Sequence, residues 1–308
     1  MILCITPNPA IDRTMIVPNL ILGQVHRAQN SIIAAGGKGL NVARAIRTLG
    51  ADPLCMGFAG GHSGRLLADL AQNAGLKSAW TWTDSETRTC TILVSQNGDA
   101  TEIDEPGMPV SKLDWKRLQR DVQKYISSAN LCCVSGSLPP ESSADDLQEL
   151  LRILVNPGRH VWVDTSGAAL DTALAFSGIC LKVNGHEISK PLGFEVKDVP
   201  SAKRALRILS ERGLTAGLIT LGSAGALLAT NEGRWHARGP RVRVVSTVGS
   251  GDSFLGGLVS MLDRGKDWSE ALCNAVAAGT ANALSAGGGQ FSLEHFRDIK
   301  KQVHIHSW

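Results

Sequence analysis

Residues 246–258 read STVGSGDSFLGGL, and the fold turns on how they are taken. The β-branched pair Thr247 and Val248 runs into Gly249, Ser250 and Gly251. Asp252 then opens an apolar stretch with helical spacing through Phe254, Leu255, Leu258 and Met261. Strand, glycine turn, helix is the pattern. Glycines let backbone N–H groups approach a ligand closely, and the first turn of a helix presents unpaired N–H groups at its positive end, so the stretch predicts an anion cradle. Asp252 inside that cradle has two readings. A carboxylate at a helix N-terminus is an ordinary cap; beside bound phosphates it could instead take the proton of an alcohol while the N–H groups hold the transferring group.

Upstream, from residue 112, continuous apolar strands alternate with helices: helix 112–128, strand 131–136, helix 143–155, strand 160–164, a short helix, strand 180–184, helix 201–212 and strand 216–222. Such strands predict a parallel sheet covered on both faces. ALLAT (226–230) and the β-prone RVRVVST (241–247) lead into the cradle, and helices are expected near 251–263, 269–285 and 292–302. The tail HIHSW reads as a frayed end rather than a metal site. At the other end MILCIT (1–6) and LCMGFAG (54–60) read as buried strands, and 63–75 as a helix. Between the two strands AAGGKGLNVARAIRTLG (34–50) is a second glycine-rich helix entrance, with Lys38 and Asn41 at its mouth and Gly50 as its stop. Residues 13–34 hold short β-prone pieces (RTMIV, QVHRA, NSIIA), and 87–104 read as a hairpin turning at Asn97 and Gly98. Together, segments 13–34 and 87–106 predict a four-stranded flap on one 1–308 domain, with Arg88 close to the body.

With 308 residues the chain can bury a full core, and 43% apolar and 19% charged residues are globular values. A net charge of +3 with scattered basic residues gives no sign of nucleic acid, and RLQRDVQK (117–124) reads as a solvated helix face. Seven cysteines without a C-x-x-C pair read as buried free thiols of a reducing compartment. No signal peptide or membrane-length apolar run is read, so a soluble cytoplasmic protein is expected.

Ligands of parallel α/β sheets gather beyond the carboxyl ends of the strands, where polar residues recur here: Asn8 and Asp12, Ser135 and Gly136, Asp164, Asn184 with Glu187, Thr220 with Gly222, and Asp252. Each alone is an ordinary turn or cap residue. The GGKGLN entrance, with Arg27 and Arg88 from the flap, would surround a small phosphate with three cations, although solvated surface charge accounts equally for the two arginines. The small residues of TLGSAG (220–225) would let a base or polyphosphate lie against backbone. Asp164, Asn184 and Glu187 offer hard oxygen donors for Mg²⁺; for Glu187 the ordinary alternative is an acid at a helix N-terminus. Neither a P-loop nor a fitting dinucleotide fingerprint is present.

TPNPAID, AAGGKGLN, ETRT, VSGSLPP, VDTSGAAL, KVNGHE, TLGSAGAL and TVGSGDS, in that order, resemble the ribokinase-like, or phosphofructokinase B, family of carbohydrate kinases almost end to end. TPNPAID, GGKGLNVAR and SGSLPP look most like its hexose-phosphate kinases. The resemblance implies a three-layer α/β/α fold with a mostly parallel sheet and a small β lid, often part of a homodimer, and a reaction using ATP and Mg²⁺. It makes Asp252 the catalytic base and Gly249, Ser250 and Gly251 the anion hole. It places sugar hydroxyls on Asp12, Gly37 and Asn41 and the sugar's phosphate on Arg27, Lys38 and Arg88, with Gly36 and Ser135 also binding substrate. Asn184 and Glu187, with Asp164, would organise Mg²⁺; Lys182, Asn184, Thr220, Gly222 and Gly225 would line the nucleotide. Two departures stand out: Val183 replaces the usual proline of Lys-Pro-Asn, removing a fixed φ, and Ser250 replaces the commoner alanine. The implied substrates are fructose 1-phosphate first, tagatose 6-phosphate second and fructose 6-phosphate third. The alternatives are a kinase of a free sugar or nucleoside, a catalytically silent sensor, and a Rossmann-type oxidoreductase.

Overall fold

The computed structural model describes residues 1–95, 100–285 and 287–308. The chain begins with β1 (Ile2–Thr6), β2 (Ala10–Val17), β3 (Asn30–Gly36), α1 (Lys38–Thr48), β4 (Pro53–Gly60), α2 (Gly61–Asn73) and β5 (Lys77–Thr83). Next come β6 (Arg88–Ser95), β7 (Ala100–Asp104), α3 (Lys112–Tyr125), β8 (Leu131–Ser135), α4 (Ala144–Leu154), β9 (His160–Asp164), α5 (Gly167–Leu174) and β10 (Cys180–Asn184). It closes with α6 (Gly185–Leu192), α7 (Val199–Glu211), β11 (Ala216–Thr220), β12 (Ala226–Thr230), β13 (Arg234–Arg238), α8 (Ser250–Leu262), α9 (Trp268–Asn282), α10 (Leu293–Lys300) and β14 (His304–Ser307).

A ten-stranded sheet runs in the order β14-β13-β12-β11-β10-β9-β8-β1-β4-β5. From β5 to β11 neighbouring strands are parallel, and from β11 to β14 antiparallel. Leu3, Ile5, Val134, Val161 and Val183 turn to one face, under α3, α4, α5 and α7. Ile2, Cys4, Cys55, Cys133, Trp162 and Leu218 turn to the other, under α1, α2, α8 and α9. Strands buried on both faces thus give three layers, α/β/α, as expected. All seven cysteines are free; Cys4, Cys55 and Cys133 lie side by side across three neighbouring strands. Among the described residues no helix is long and apolar enough to cross a membrane.

A second, four-stranded sheet is ordered β3-β2-β6-β7 and is built from the segments read as the flap. The Asn97–Gly98 turn lies outside the described residues. Three expectations are corrected. QVHRA forms no strand, because β2 and β3 stop at the Ile16–Asn30 pair and the segment between them is a loop. Arg241 to Thr247, expected as a strand into the cradle, is coil, its backbone caught by the α9 end where the Val245 N–H donates to the Ala283 carbonyl. The paired strand is Arg234–Arg238 instead. The C-terminal tail is not frayed: His304–Ser307 adds the last strand beside β13, with His306 opposite His236. Two further elements were not expected: KSAWTWT forms β5 at the opposite edge, and the eight-residue α6 follows β10 directly.

Candidate active site

Along the carboxyl ends of the parallel strands, two helix N-termini meet. Helix α8 starts at Ser250 after Gly249, whose φ of 71° is left-handed and whose Cα lies so close to Gly288 that no Cβ would fit. Helix α1 starts after Gly37, with φ 103°. Asn282 of α9 fastens the first of these turns: its Nδ2 donates to the Val248 carbonyl at 2.8 Å, and its Oδ1 accepts from Ser253 Oγ at 2.9 Å. Of the three N–H groups expected in the anion hole, that of Ser250 is already donated to the Thr247 carbonyl at 3.1 Å. That leaves the Gly249 and Gly251 N–H groups as the candidates for the cradle.

Asp252 is 6% exposed and accepts a 2.7 Å hydrogen bond from Asn41 Nδ2, which fixes its orientation from the facing helix. Burial, and then the Asp164 charge, raise its carboxyl above the ordinary range, opposed by Lys38, Lys182 and the Asn41 bond. Asn41 is held in turn by Arg44, whose Nη1 donates to Asn41 Oδ1 and to the Gly288 carbonyl, both at 2.6 Å, and whose Nη2 donates to the Ala35 carbonyl. Arg44 was absent from the expected site. Its signal was its place one helical turn after Asn41 on the buried side of α1.

Asp12 rises from β2, its carboxylate lying on Gly36, where any side chain would collide with it. Asp12 faces a cavity of about 350 Å³ between the small sheet and the 287–291 loop, lined also by Thr14, Ala34, Arg44, Gly288 and Phe291 among others. Burial pushes Asp12 up to about 6, with Arg44 and Arg88 opposing the rise. At the base of β6, Arg88 donates to the Asn8 carbonyl through Nε at 3.3 Å and Nη2 at 3.2 Å. Asn8 Nδ2 donates to Ser137 Oγ at 3.2 Å.

Three expected contacts do not assemble. Arg27 is exposed in the β2–β3 loop, beyond the Ile16–Asn30 pair and so about 13 Å along the strand from Asp12. Ser135 is fully buried, since strand alternation turns it with Cys133 into the sheet, and its hydroxyl has no partner among the described residues. The exposed serine beside Arg88 is Ser137. Lys38 joins the opposite end of the site, 3.0 Å from Asp164 Oδ1 and 3.5 Å from Glu187 Oε1.

On that side Asn184 and Glu187 form a reciprocal cap of α6: the Asn184 N–H donates to Glu187 Oε2 and the Glu187 N–H to Asn184 Oδ1, both at 2.8 Å. Glu187 Oε1 is left over from the cap. Asp164, expected as a metal donor, is 0% exposed and gives both oxygens to lysines, Oδ2 taking Lys182 Nζ at 2.5 Å. The described residues contain no cluster of three acidic, histidine or cysteine ligands. Thr220 Oγ1 donates to the Val183 carbonyl at 3.5 Å, and Gly222 borders open space. Gly225 serves packing instead, because a Cβ there would strike the Ala237 carbonyl.

A family model described as pfkB family carbohydrate kinase matches residues 6–295. The chain belongs to the pfkB family of carbohydrate kinases. This pfkB kinase is 30% identical to the tagatose-6-phosphate kinase of Staphylococcus epidermidis over 308 residues, 99% of each chain. It is 32% identical to the 1-phosphofructokinase of Escherichia coli over 288 residues, 92% of this chain and 91% of that one. Its structure superposes with a TM-score of 0.90 on Escherichia coli phosphofructokinase-2 in complex with substrates and products, at 29% identity, covering 97% of this chain and 98% of that one. The pfkB assignment bears out the resemblance and its ribokinase-like fold, and makes the chain a phosphotransferase of the hexose-phosphate kinase group.

Proposed function

We propose that the chain transfers the γ-phosphoryl group of ATP to the free primary hydroxyl of a ketohexose monophosphate, with fructose 1-phosphate the first substrate, tagatose 6-phosphate the second and fructose 6-phosphate the third. The observation that carries this is the buried Asp252 at the α8 N-terminus, aimed by Asn41 and within electrostatic reach of the cavity residue Asp12. Its raised pKa suits a base that must accept an alcohol proton near neutral pH. The sugar would lie under the small sheet, acting as a lid, with hydroxyls on Asp12, Asn41 and the Gly36–Gly37 backbone. Its phosphate would sit on Arg88 and Ser137. The hydroxyl oxygen attacks in line as Asp252 takes its proton, while the Gly249 and Gly251 N–H groups face the charge that builds on the transferred group. Nucleotide would run from α8 past Lys38, Lys182 and Asn184 to the open backbone at Gly222, with Thr220 beside it.

Glu187 suits Mg²⁺, having one carboxylate oxygen outside its cap and 16% side-chain exposure, and a Mg²⁺ that keeps waters and phosphates needs few protein donors. Glu187, with Asn184 through water, would hold the ion, which when bound neutralises phosphate charge. The small sheet also suggests a homodimer, since its outer face carries the exposed Ile33 and Ile103, and buried free thiols fit a cytoplasmic location. Light scattering of the purified chain at twice the monomer mass would support the dimer, and a monomer would refute it.

The test is coupled ADP release with MgATP against fructose 1-phosphate, tagatose 6-phosphate, fructose 6-phosphate and free fructose, compared by kcat/KM. Preference for a phosphorylated sugar supports the reading and names the substrate. Turnover of free fructose alone overturns the role of Arg88, and no turnover of any sugar overturns the reading.

A further inference from the structure

Asp164 has no surface exposed, yet it is ion-paired to two lysines at once. It ends β9, and Lys182 follows in the adjacent strand β10 on the same sheet face. The Lys182 ammonium is 2.5 Å from Oδ2 and the Lys38 ammonium 3.0 Å from Oδ1. Burial alone would push a carboxyl here upward, but Lys182 and then Lys38 outweigh it and hold Asp164 below the ordinary range.

The two lysines come from different elements and converge on one place. A Cβ on Gly251 would lie 2.8 Å from Lys182 Nζ, so that ammonium rests against the first turn of α8. Lys38, the first residue of α1, reaches across between Asp164 and Glu187. Both charges are felt at Asp252. An ammonium has three donors; Asp164 takes one from each lysine and Glu187 Oε1 lies 3.5 Å from Lys38, so Lys182 keeps two N–H groups to be satisfied and Lys38 one. With Glu187 beside Lys38, the two ammoniums face two carboxylates at the edge of the cradle. A magnesium ligand, by contrast, must turn an oxygen toward an open position, and Asp164 has none.

We propose that Asp164 is a positioning residue that presets Lys38 and Lys182 as a pair for the phosphate oxygens of bound nucleotide and is not a metal ligand. This rests on the kinase reading above. A buried Lys182 without a counter-ion would be an unpaired buried charge, and a free Lys38 would spread over many rotamers. Asp164 removes both losses before the anion arrives.

The measurement is the ADP dissociation constant by calorimetry in excess EDTA, for the wild type and the Asp164→Asn variant, together with the Mg²⁺ concentration giving half-maximal turnover. The amide keeps the volume but cannot anchor two ammoniums. The ADP constant in EDTA should rise about tenfold or more, as expected for loss of one charge-assisted contact, with the half-saturating Mg²⁺ concentration unchanged. An unchanged ADP constant, or one that moves only when Mg²⁺ is present, overturns the proposal. Because Asp164→Asn disturbs a buried charge, Lys182→Met and the double variant complete a cycle. If Asp164 acts through the lysine, adding Asp164→Asn to Lys182→Met weakens ADP less than it weakens the wild type. Full additivity overturns the proposal even if Asp164→Asn alone is unstable. A wild type that binds no ADP overturns the kinase reading with it, whereas a wild type that binds ADP beside metal-ligand behaviour of Asp164→Asn overturns the clamp alone.

Discussion

Replacing Asp12 by Asn should make the chain more stable as pH rises. Asp12 is packed against Gly36 at the foot of β2, and burial raises its carboxyl from the ordinary 3.8 to about 6; Arg44 and Arg88 oppose the rise, while Asp252 and Asp104 add to it. The folded chain therefore prefers the neutral acid. That preference stabilises fully below the unfolded value and is lost as pH climbs through the folded one, leaving a cost at pH 8. A shift of this size corresponds to about 3 kcal/mol, and partial solvent exposure lowers the expected effect to about 1–3 kcal/mol. The amide fits the same space beside Gly36 and does not ionise. Urea unfolding of wild type and Asp12→Asn at pH 4, 6 and 8 isolates the difference, since other titrating groups are common to both. The variant should gain on the wild type by the stated amount between pH 4 and 8. A difference independent of pH, or one that grows in favour of the wild type, would refute the argument that burial outweighs the two guanidinium groups.

Asp252→Asn should lower kcat by about 10²–10⁴-fold, the usual contribution of a general base, while calorimetry shows ADP still bound; near-normal turnover would remove Asp252 from the base role. Arg88→Ala should raise KM for the phosphorylated sugar about tenfold or more through loss of a charge-assisted contact, with KM for ATP unmoved. Arg44→Leu strands the carbonyls of Ala35 and Gly288 and the Asn41 amide oxygen, and should cost about 2–4 kcal/mol by thermal denaturation. Gly249→Ala forces a side chain into a left-handed turn against Gly288 and should cost about 1–3 kcal/mol, with turnover lost as the cradle moves.

The parallel strands and the two helix entrances were legible because their signals are local: unbroken apolar runs for β1, β4 and β8 to β11, and glycines ahead of periodic helices for α1 and α8. What escaped depended on partners distant in sequence. RVRVVST has strand propensity but no strand beside it, whereas HIHSW is weakly patterned yet finds the open edge of β13. KSAWTWT alternates only partly, and α6 is short and contains Pro191. Within the site, composition pointed to serine in SGSLPP, but Ser135 ends the fully buried strand β8, whereas Ser137 lies past its end and is exposed. Charge placed Lys38 with Arg88, and only the fold shows Asp164 claiming it. Arg27 was drawn in by type, and the length of β2 carries it away.

The row of thiols across β8, β1 and β4 gives the chain its own clock of intactness. Six of the seven cysteines are buried, and Cys273 alone is partly open. Burial also pushes the Cys55, Cys90, Cys132 and Cys180 thiols upward, away from the reactive thiolate. A colorimetric disulfide reagent should thus meet one slow sulfur in the folded chain, reach Cys90 as the small sheet opens, and release the last five only as the central sheet parts, so that counting sulfurs against time reports how often each β layer opens.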